Sequence, residues 1–474
     1  MLTLTDLFCG AGGSSTGAVA VPGVRVRMAA NHARHAVDTH QANHPEADHD
    51  CADLSQVEPS RYPTTDILWA SPECTNHSIA KGRRRGHGAH GDGLFAESGA
   101  DEAAIRSRAT MHDVPRFAEV HRYRAIIVEN VVDAYWWGPE SARGAAFQAW
   151  LSTLHAWGYE HRIVWMNSMH ATAYGPPAPQ SRDRMYVVLW RKGESAPDFD
   201  KWTRPTAICP DHGQVRAVQA FKRTDRRWGR YGAHAQYVWR CPRVECRNTV
   251  VEPVVRAAAE AIDWDLPATV IRERSRPLAA DTMRRIRAGF QAFAEPLTVP
   301  VEGRDGKKAA PATAPLRTVT TRNETGLALP PYMVEMRGGG SSHRAVTRPL
   351  ATVCASGNHH GVVTAPDMIL PYYGTTASAQ PAGRPLPMVT TRERHGALYG
   401  GTVSSVEECR FRMLEPHEYA AAMAFPDDYR LLANDKRTRV LMLGNAVTPP
   451  AARDLIAMVT EAITGTDLEP ARAA

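Results

Sequence analysis

Four short segments hold residue types that do chemistry when a fold brings them together. Ser71-Pro72-Glu73-Cys74-Thr75-Asn76 sets a cysteine among polar neighbours directly after the apolar run Asp66–Ala70. An isolated cysteine is ordinarily a small buried hydrophobe. One in a polar turn at a strand end is instead placed to act as a thiolate nucleophile. The apolar run Ala125–Val128 ends in Glu129-Asn130, and a buried strand has no packing reason to end in a carboxylate, although a helix-capping role competes with proton transfer. Gln180-Ser181-Arg182-Asp183-Arg184 alternates two arginines at the start of another run. They could grip phosphates or polarise a carbonyl; the competing reading is a solvated surface strand. Asp6-Leu7-Phe8-Cys9-Gly10-Ala11-Gly12-Gly13 follows the run Leu2–Phe8, and its glycines let the backbone turn sharply and approach a ligand. No Gly-Lys-Ser/Thr follows, so this is not a phosphate-binding P-loop. The weight shifts to a small zwitterionic cofactor.

The elements that must position these groups alternate in type. Leu2–Phe8, Val24–Ala30, Asp66–Ala70, Ala125–Val128, Tyr159–Met166 and Arg184–Trp190 read as strands, with helical stretches such as Ala33–Asn43 and Ala142–His155 between them. This is the pattern of an α/β domain on a mostly parallel sheet, where ligands bind beyond the carboxyl ends of the strands. Residues 196–405 change character, becoming rich in Pro, Thr and Gly. PLRTVTT at 315, RPLATVCAS at 348 and RPLPMVTTR at 384, with a fainter PATVIRE at 267, recur at a spacing of about 35 residues. The spacing favours a family of similar β-turns over a duplicated module. RGGGSS at 337–342 reads as a flexible loop. Helical patterns return at Glu415–Ala424 and Ala451–Ile463. The expected organisation is a catalytic core over 1–195, a β-rich recognition region over 196–405, and a C-terminal segment, 406–474, that completes the core.

Within the middle region, Cys209-Pro-Asp-His212 and Cys241-Pro-Arg-Val-Glu-Cys246 form two knuckle-like turns. Their ligand types suit a tetrahedral structural zinc site of the ribbon type on Cys209, His212, Cys241 and Cys246, in a segment spanning 205–250. Arg226, Arg227, Arg230, Tyr231, Tyr237 and Trp239 nearby are a mix suited to contacting nucleic acid. The chain has 474 residues, 43% hydrophobic and 22% charged, which fits a soluble protein with a proper core. No apolar run reaches 18 residues, so no membrane-spanning helix is expected, and MLTLTDLFCGAGG lacks a secretory pattern. A net charge of +6 and a pI near 8.9 tilt weakly toward a polyanionic partner. Eight sparse cysteines fit a reducing cytoplasm, with catalytic or metal-binding thiols.

Taken together and in this order, the segments resemble the DNA cytosine-5 methyltransferase family. DLFCGAGG is similar to its cofactor loop, Cys74 to its nucleophile, Glu129-Asn130-Val131 to its Glu-Asn-Val signature and QSRDR to its Gln-x-Arg-x-Arg. RFRMLEPHEYAAAMAFPDDY and GNAVTPP resemble its last two motifs. The resemblance implies a Rossmann-like S-adenosylmethionine-dependent fold with a zinc-ribbon-containing target-recognition insertion. It implies covalent attack by Cys74 on carbon 6 of a cytosine flipped out of double-stranded DNA. Glu129 would then serve N3 and N4, with Arg182 or Arg184 at O2, and the basic segment 81–92 would close over the base. The cofactor residues implied are Asp6, Phe8, Gly10, Gly12, Gly13, Asn31, His32, Asp53, Leu54, Pro72, Asn445 and Val447. Two positions depart from the family: Glu73 stands where a proline usually precedes the cysteine, and Asn31 where an acid usually meets the ribose. A monomer is favoured, and a cognate restriction or phage-defence system is a further candidate partner. The competing functions are an RNA (tRNA) cytosine-5 methyltransferase, disfavoured by the long insertion, and a catalytically silent DNA-binding subunit, disfavoured by the intact Cys74, Glu129 and arginine set.

Overall fold

The structure is a computed structural model that describes residues 1–73, 110–261 and 409–469, and only separate stretches between 262 and 408. Cys74, the basic segment 81–92 and the loop 337–342 lie outside the described residues. By packing, the chain divides into two units, one of residues 1–261, 349–357 and 416–474 and the other of 262–348 and 358–415.

The first unit is built on seven strands: β1 (Leu2–Leu7), β2 (Val24–Asn31), β3 (Asp48–Cys51), β4 (Ile67–Ala70), β5 (Ala125–Asn130), β6 (Tyr159–Asn167) and β7 (Asp183–Arg191). Their order is β3-β2-β1-β4-β5-β7-β6. All neighbours are parallel except β7, which runs against both β5 and β6. The strands read as near-continuous apolar runs because both faces are covered. Leu7, Leu68, Ile126 and Val187 point into one core, and Leu4, Ile67, Ile127 and Val188 into the other. Strand order reverses between β1 and β4, so the crevice beyond their carboxyl ends is the expected ligand site.

Among the described residues, the helices of this unit are α1 (Gly13–Val19), α2 (Arg34–Asn43), α3 (Asp113–His121), α4 (Ala145–Ala156), α5 (Phe199–Thr203), α6 (Pro416–Met423), α7 (Lys436–Asn445) and α8 (Pro449–Thr464). α8 begins with prolines in its first turn and stops at Gly465, whose φ of +66° suits a left-handed cap. Between those limits Ala451, Ala452, Leu455, Ile456 and Val459 are fully buried against the β1–β2 face.

The chain does not divide at 195/196, where composition changes. Strands β8 (Thr206–Cys209), β9 (Gly213–Arg216), β10 (Val218–Phe221), β11 (Tyr237–Arg240) and β12 (Glu252–Pro253) belong to the first unit. Ala207, Tyr237, Trp239 and Val251 share one hydrophobic cluster with the sheet. The docking is also polar. Gln219 donates to the Trp165 carbonyl at 2.9 Å, the Trp228 indole to the Val132 carbonyl at 3.1 Å, and Arg230 pairs with Asp133 at 2.6 Å. Tyr237 and Trp239 are therefore core residues and not surface contacts for nucleic acid. A few large aromatics, spaced by arginines and glycines, outweigh a polar average composition.

The second unit corrects another expectation. It contains β13 (Thr269–Val270), β14 (Leu297–Pro300), β15 (Ala310–Pro311), β16 (Thr325–Ala328), β17 (Tyr332–Glu335), β18 (His343–Ala345), β19 (His360–Thr364), β20 (Met368–Pro371), β21 (Gln380–Pro381), β22 (His395–Leu398) and β23 (Arg410–Met413). β14 pairs antiparallel with β15 and β16, β17 with β18 and β19, and β20 with β21 and β22. Equivalent strands recur about every 35 residues, in step with the RPL–TV recurrence. The recurrence is a true three-stranded module occurring three times, not a set of similar turns. The middle copy is extended by β23 and β13 into a five-stranded sheet, over a small core that includes Ile271, Ile286, Tyr332, Val363 and Phe411.

The join between the N-terminal turn and the C-terminal segment is tight enough to test. A Cβ on Gly13 would lie 1.9 Å from the carbonyl oxygen of Val447 and 3.2 Å from the Phe425 ring. Backbone cannot yield as a side-chain tip can. Gly13→Ala is expected to destabilise the fold by about 1–3 kcal/mol and to weaken cofactor binding. A melting temperature equal to wild type would show that these segments are not packed this way.

Candidate active site

At the carboxyl ends of β1, β2, β4 and β5 lies a cavity of about 270 Å³. Of the residues expected from sequence, Phe8, Gly10, Asn31, His32, Pro72, Glu129, Arg182, Arg184 and Asn445 line it. Glu73 does so as well, with Oε1 3.7 Å from Nε2 of His32. Asp6, Gly12, Gly13, Asp53, Leu54 and Val447 are not among the lining residues. Leu441 and Met442, at the end of α7, are lining residues the motifs had not singled out. They precede Gly444-Asn445 on a helical pattern that reads as ordinary core.

The glycine-rich turn is held from below. Asp6 is fully buried, and its Oδ2 accepts from the hydroxyls of Ser14 and Ser15, both at 2.6 Å. Burial pushes its carboxyl up to about 6 against the pull of those two donors. Asp6 therefore shapes the turn without facing the cavity. Phe8 has φ +60°, a conformation that side chains rarely adopt and that clusters at functional sites. Gly12, at φ +80°, leaves space that a Cβ would deny to the Tyr429 hydroxyl, 2.4 Å away. That hydroxyl donates to the Ala11 carbonyl.

Asn31 and Asp53 are engaged locally. The Asn31 side-chain carbonyl accepts from the Ala33 N–H at 2.9 Å, turning the chain into α2. Asp53 accepts from the Ser55 N–H and hydroxyl. Asn130 ties two strand ends together: its Oδ1 accepts from the Val131 N–H, and its Nδ2 donates to the Pro72 carbonyl at 3.3 Å. The segment that leads to Cys74 is thus fixed to the end of β5.

The two arginines of the QSRDR segment differ in role. Arg184 pairs through Nε with Oε1 of Glu129 at 2.7 Å, both side chains being almost buried. Arg182, 2% exposed, donates to the carbonyls of Val353 (3.1 Å), Gly444 (3.0 Å) and Ala446 (2.9 Å). One guanidinium is coupled to the carboxylate in the cavity, and the other fastens two backbone segments, at Val353 and at Gly444–Ala446.

Away from this cavity, the β8–β9 hairpin brings Cys209 and His212 to the turn containing Cys241 and Cys246. The four ligand atoms lie within 4.8 Å of one another. Cys209 Sγ is 3.5 Å from Nδ1 of His212 and 4.0 Å from Cys246 Sγ, and Cys241 Sγ is 3.7 Å from the same Nδ1. Bond lengths of about 2.3 Å to sulfur and 2.0 Å to nitrogen give tetrahedral edges of roughly 3.5–3.8 Å, so the donor set fits one ion without large movement. The second knuckle is shaped by Arg247 and Asn248, both at positive φ, with the Asn248 amide donating to the Cys241 carbonyl.

The contrast between the arginines predicts different losses. Arg182→Ala is expected to cost about 3 kcal/mol or more and to appear first as a lowered melting temperature. Arg184→Ala is expected to cost less stability and more activity. Equal shifts in melting temperature would show that both play one role.

Residues 2–220 match the family model described as C-5 cytosine-specific DNA methylase. No curated protein matches the sequence. Among solved structures, the chain is similar to a prophage-encoded E. coli protein described as a DNA modification methyltransferase, with 14% identity, 98% of this chain and 100% of that one covered, and a TM-score of 0.46. It is similar to a mutant of Spodoptera frugiperda DNMT2 (14% identity, 97% and 100% covered, TM-score 0.47). It is also similar to S. pombe Dnmt2 methyltransferase (11% identity, 98% and 99% covered, TM-score 0.49). Likenesses at these scores add nothing to what sheet order and site geometry already say. Residues 2–220, which carry the seven-stranded sheet, the glycine-rich turn and the Glu129–Arg184 pair, belong to the C-5 cytosine-specific DNA methylase family.

Proposed function

We propose that the protein methylates carbon 5 of cytosine in DNA, with Cys74 as nucleophile. The supporting observation is the Glu129–Arg184 pair in the wall of a cavity that Pro72, two residues before Cys74, also lines. The aromatic face of Phe8, the strained glycine turn and the polar groups of Asn31, His32 and Asn445 fit S-adenosylmethionine, and would hold it there. That molecule supplies an electrophilic methyl group on sulfonium.

The remaining work falls to side chains. Carbon 5 of cytosine is a weak nucleophile until the Cys74 thiolate adds to carbon 6. The addition drives electrons toward N3, where a proton shared with Glu129 neutralises them. Arg184 keeps that carboxylate oriented and offers N–H groups toward O2. Once carbon 5 carries its methyl group, loss of its proton returns the electron pair to the ring and expels Cys74 as thiolate. A base within a duplex cannot reach such a cavity, so the cytosine must leave the stack. The second unit, with its repeated β-modules, is the candidate reader of the flanking sequence.

We also propose a structural zinc ion on Cys209, His212, Cys241 and Cys246. Four protein ligands leave no open position for catalysis. The ion would brace hairpins that pack on β6 and on the segment after β5, so its loss should reach the active site through the shared core.

Two experiments test these readings. A duplex containing 5-fluorocytosine is expected to trap wild-type protein covalently, because fluorine cannot leave as a proton, while Cys74→Ala forms no adduct and still binds cofactor. Full methylation by Cys74→Ala would overturn the mechanism, and incorporation into RNA alone would move the substrate to RNA. Elemental analysis is expected to find about one zinc per chain, with Cys241→Ser losing the metal, melting lower and binding cofactor less well. Absence of zinc, or metal loss without any change in melting, would refute the structural role.

A further inference from the structure

A second cleft lies on the first unit at the free edge of the sheet, where β6, α5 and the β10–β11 hairpin meet. Its volume is about 410 Å³, within the range of small-ligand pockets. It shares no lining residue with the cavity that holds Glu129.

The walls of this cleft are of two kinds. Its floor is the half-buried Phe221 ring, beside Trp165 and Trp239, which line it but are only 5% and 3% exposed. Trp165 is locked, since its indole donates to the Arg227 carbonyl at 3.0 Å and Gln219 donates to the Trp165 carbonyl at 2.9 Å. The rim is cationic. Arg204 is paired with Asp200 and Arg223 with Asp225, whereas Arg162 and Arg227 have no carboxylate partner among the described residues. The Arg162 guanidinium rests 4.7 Å above the Phe199 ring, which holds it at the rim.

Behind the floor a recess of about 40 Å³ opens between Trp165, Gln219, Trp239 and His170. This is room for a water-sized group. The Trp239 indole donates to Nδ1 of His170 at 3.1 Å, so Nδ1 is the acceptor and Nε2 carries the hydrogen in the neutral ring. Burial pushes His170 down to about 3, which keeps it neutral at ordinary pH. The Nε2–H is buried and has no hydrogen-bond acceptor among the described residues. Native folds seldom leave a buried donor so without a functional reason. The Tyr231 ring meets the imidazole at 90°, a contact that offers no acceptor nitrogen or oxygen.

A purely apolar ligand would strip water from two guanidinium groups and return nothing. A bare anion has no use for the Phe221 ring, and a duplex cannot enter so narrow a concavity. A planar ring bearing a phosphate satisfies rim and floor together. We propose that this cleft binds a nucleotide, its base stacked on Phe221, a base acceptor at the recess in front of His170, and its phosphate on Arg162 and Arg227. The ligand is either a free nucleotide or one residue of a single strand. The proposal does not rest on the methyl-transfer reading.

The test uses full-length protein saturated with S-adenosylhomocysteine, so that the cofactor cavity is filled. Adenosine 5′-monophosphate and, separately, a short single-stranded oligodeoxyadenylate are titrated by calorimetry, with tryptophan fluorescence as a second readout. Saturable binding is expected, weakened at least tenfold in the R162A/R227A double variant at an unchanged melting temperature. His170→Phe should weaken it as well. Comparable affinity for both ligands points to a free nucleotide; tighter binding of the oligonucleotide, lost in the same double variant, points to a strand. Three results would overturn the proposal: no saturable binding of either ligand, unchanged affinity in R162A/R227A, or inorganic phosphate competing as well as the nucleotide. A crystal of the mixture showing only an ordered water at His170 would do the same.

Discussion

The Arg182 guanidinium holds together parts of the chain that are far apart in sequence. It emerges just before β7 and donates to carbonyls at Val353, Gly444 and Ala446. At Val353 it adds to the backbone bonds by which Leu350 already pairs with Pro179 and Ser181. Without it, the turn after α7 would lose the contact that presents Asn445 to the cavity and Val447 to Gly13. A buried cation pays a large desolvation cost, and three accepting carbonyls are a suitable way to offset it. The cavity is therefore closed by residues more than 400 positions from its glycine-rich floor.

The same strand shows how two similar side chains come to differ. Arg182 and Arg184 alternate along an extended segment, which places them on one face in the simplest reading. Arg182 is drawn down onto backbone, while Arg184 reaches across to Glu129. Removal of either partner from the Glu129–Arg184 pair would leave a nearly buried charge uncompensated. The pair is better understood as a device for orientation than as a source of stability.

The region between the catalytic motifs and the C-terminal segment is two structures in one stretch of unusual composition. Its first part folds onto the sheet edge through Tyr237, Trp239 and a Cys/His cluster, and contributes to the same core as the strands. Its second part is a threefold repetition of a three-stranded module, each with a central strand pairing antiparallel to a short and a longer neighbour. Short strands in small sheets bury little surface alone, and the middle module gains its core by recruiting β13 and β23.

Much of this protein was legible in its sequence. Largely apolar runs of four to eight residues, separated by helical stretches, marked six of the seven strands of the sheet. The order of six motifs indicated the family and nine of the residues that line the cavity. β3 was not legible, because Asp48–Cys51 is a polar edge strand with no hydrophobic pattern to betray it. Periodicity could expose the spacing of the repeats but not their pairing, since hydrogen-bond partners are chosen by residues far apart in the chain. Composition misplaced the unit boundary, because it averages over the few buried aromatics that decide where a segment docks. Local chemistry determined which side chains could react. Only tertiary packing decided that Arg182 fastens backbone while Arg184 meets Glu129, because burial and partner distance are properties of the folded chain.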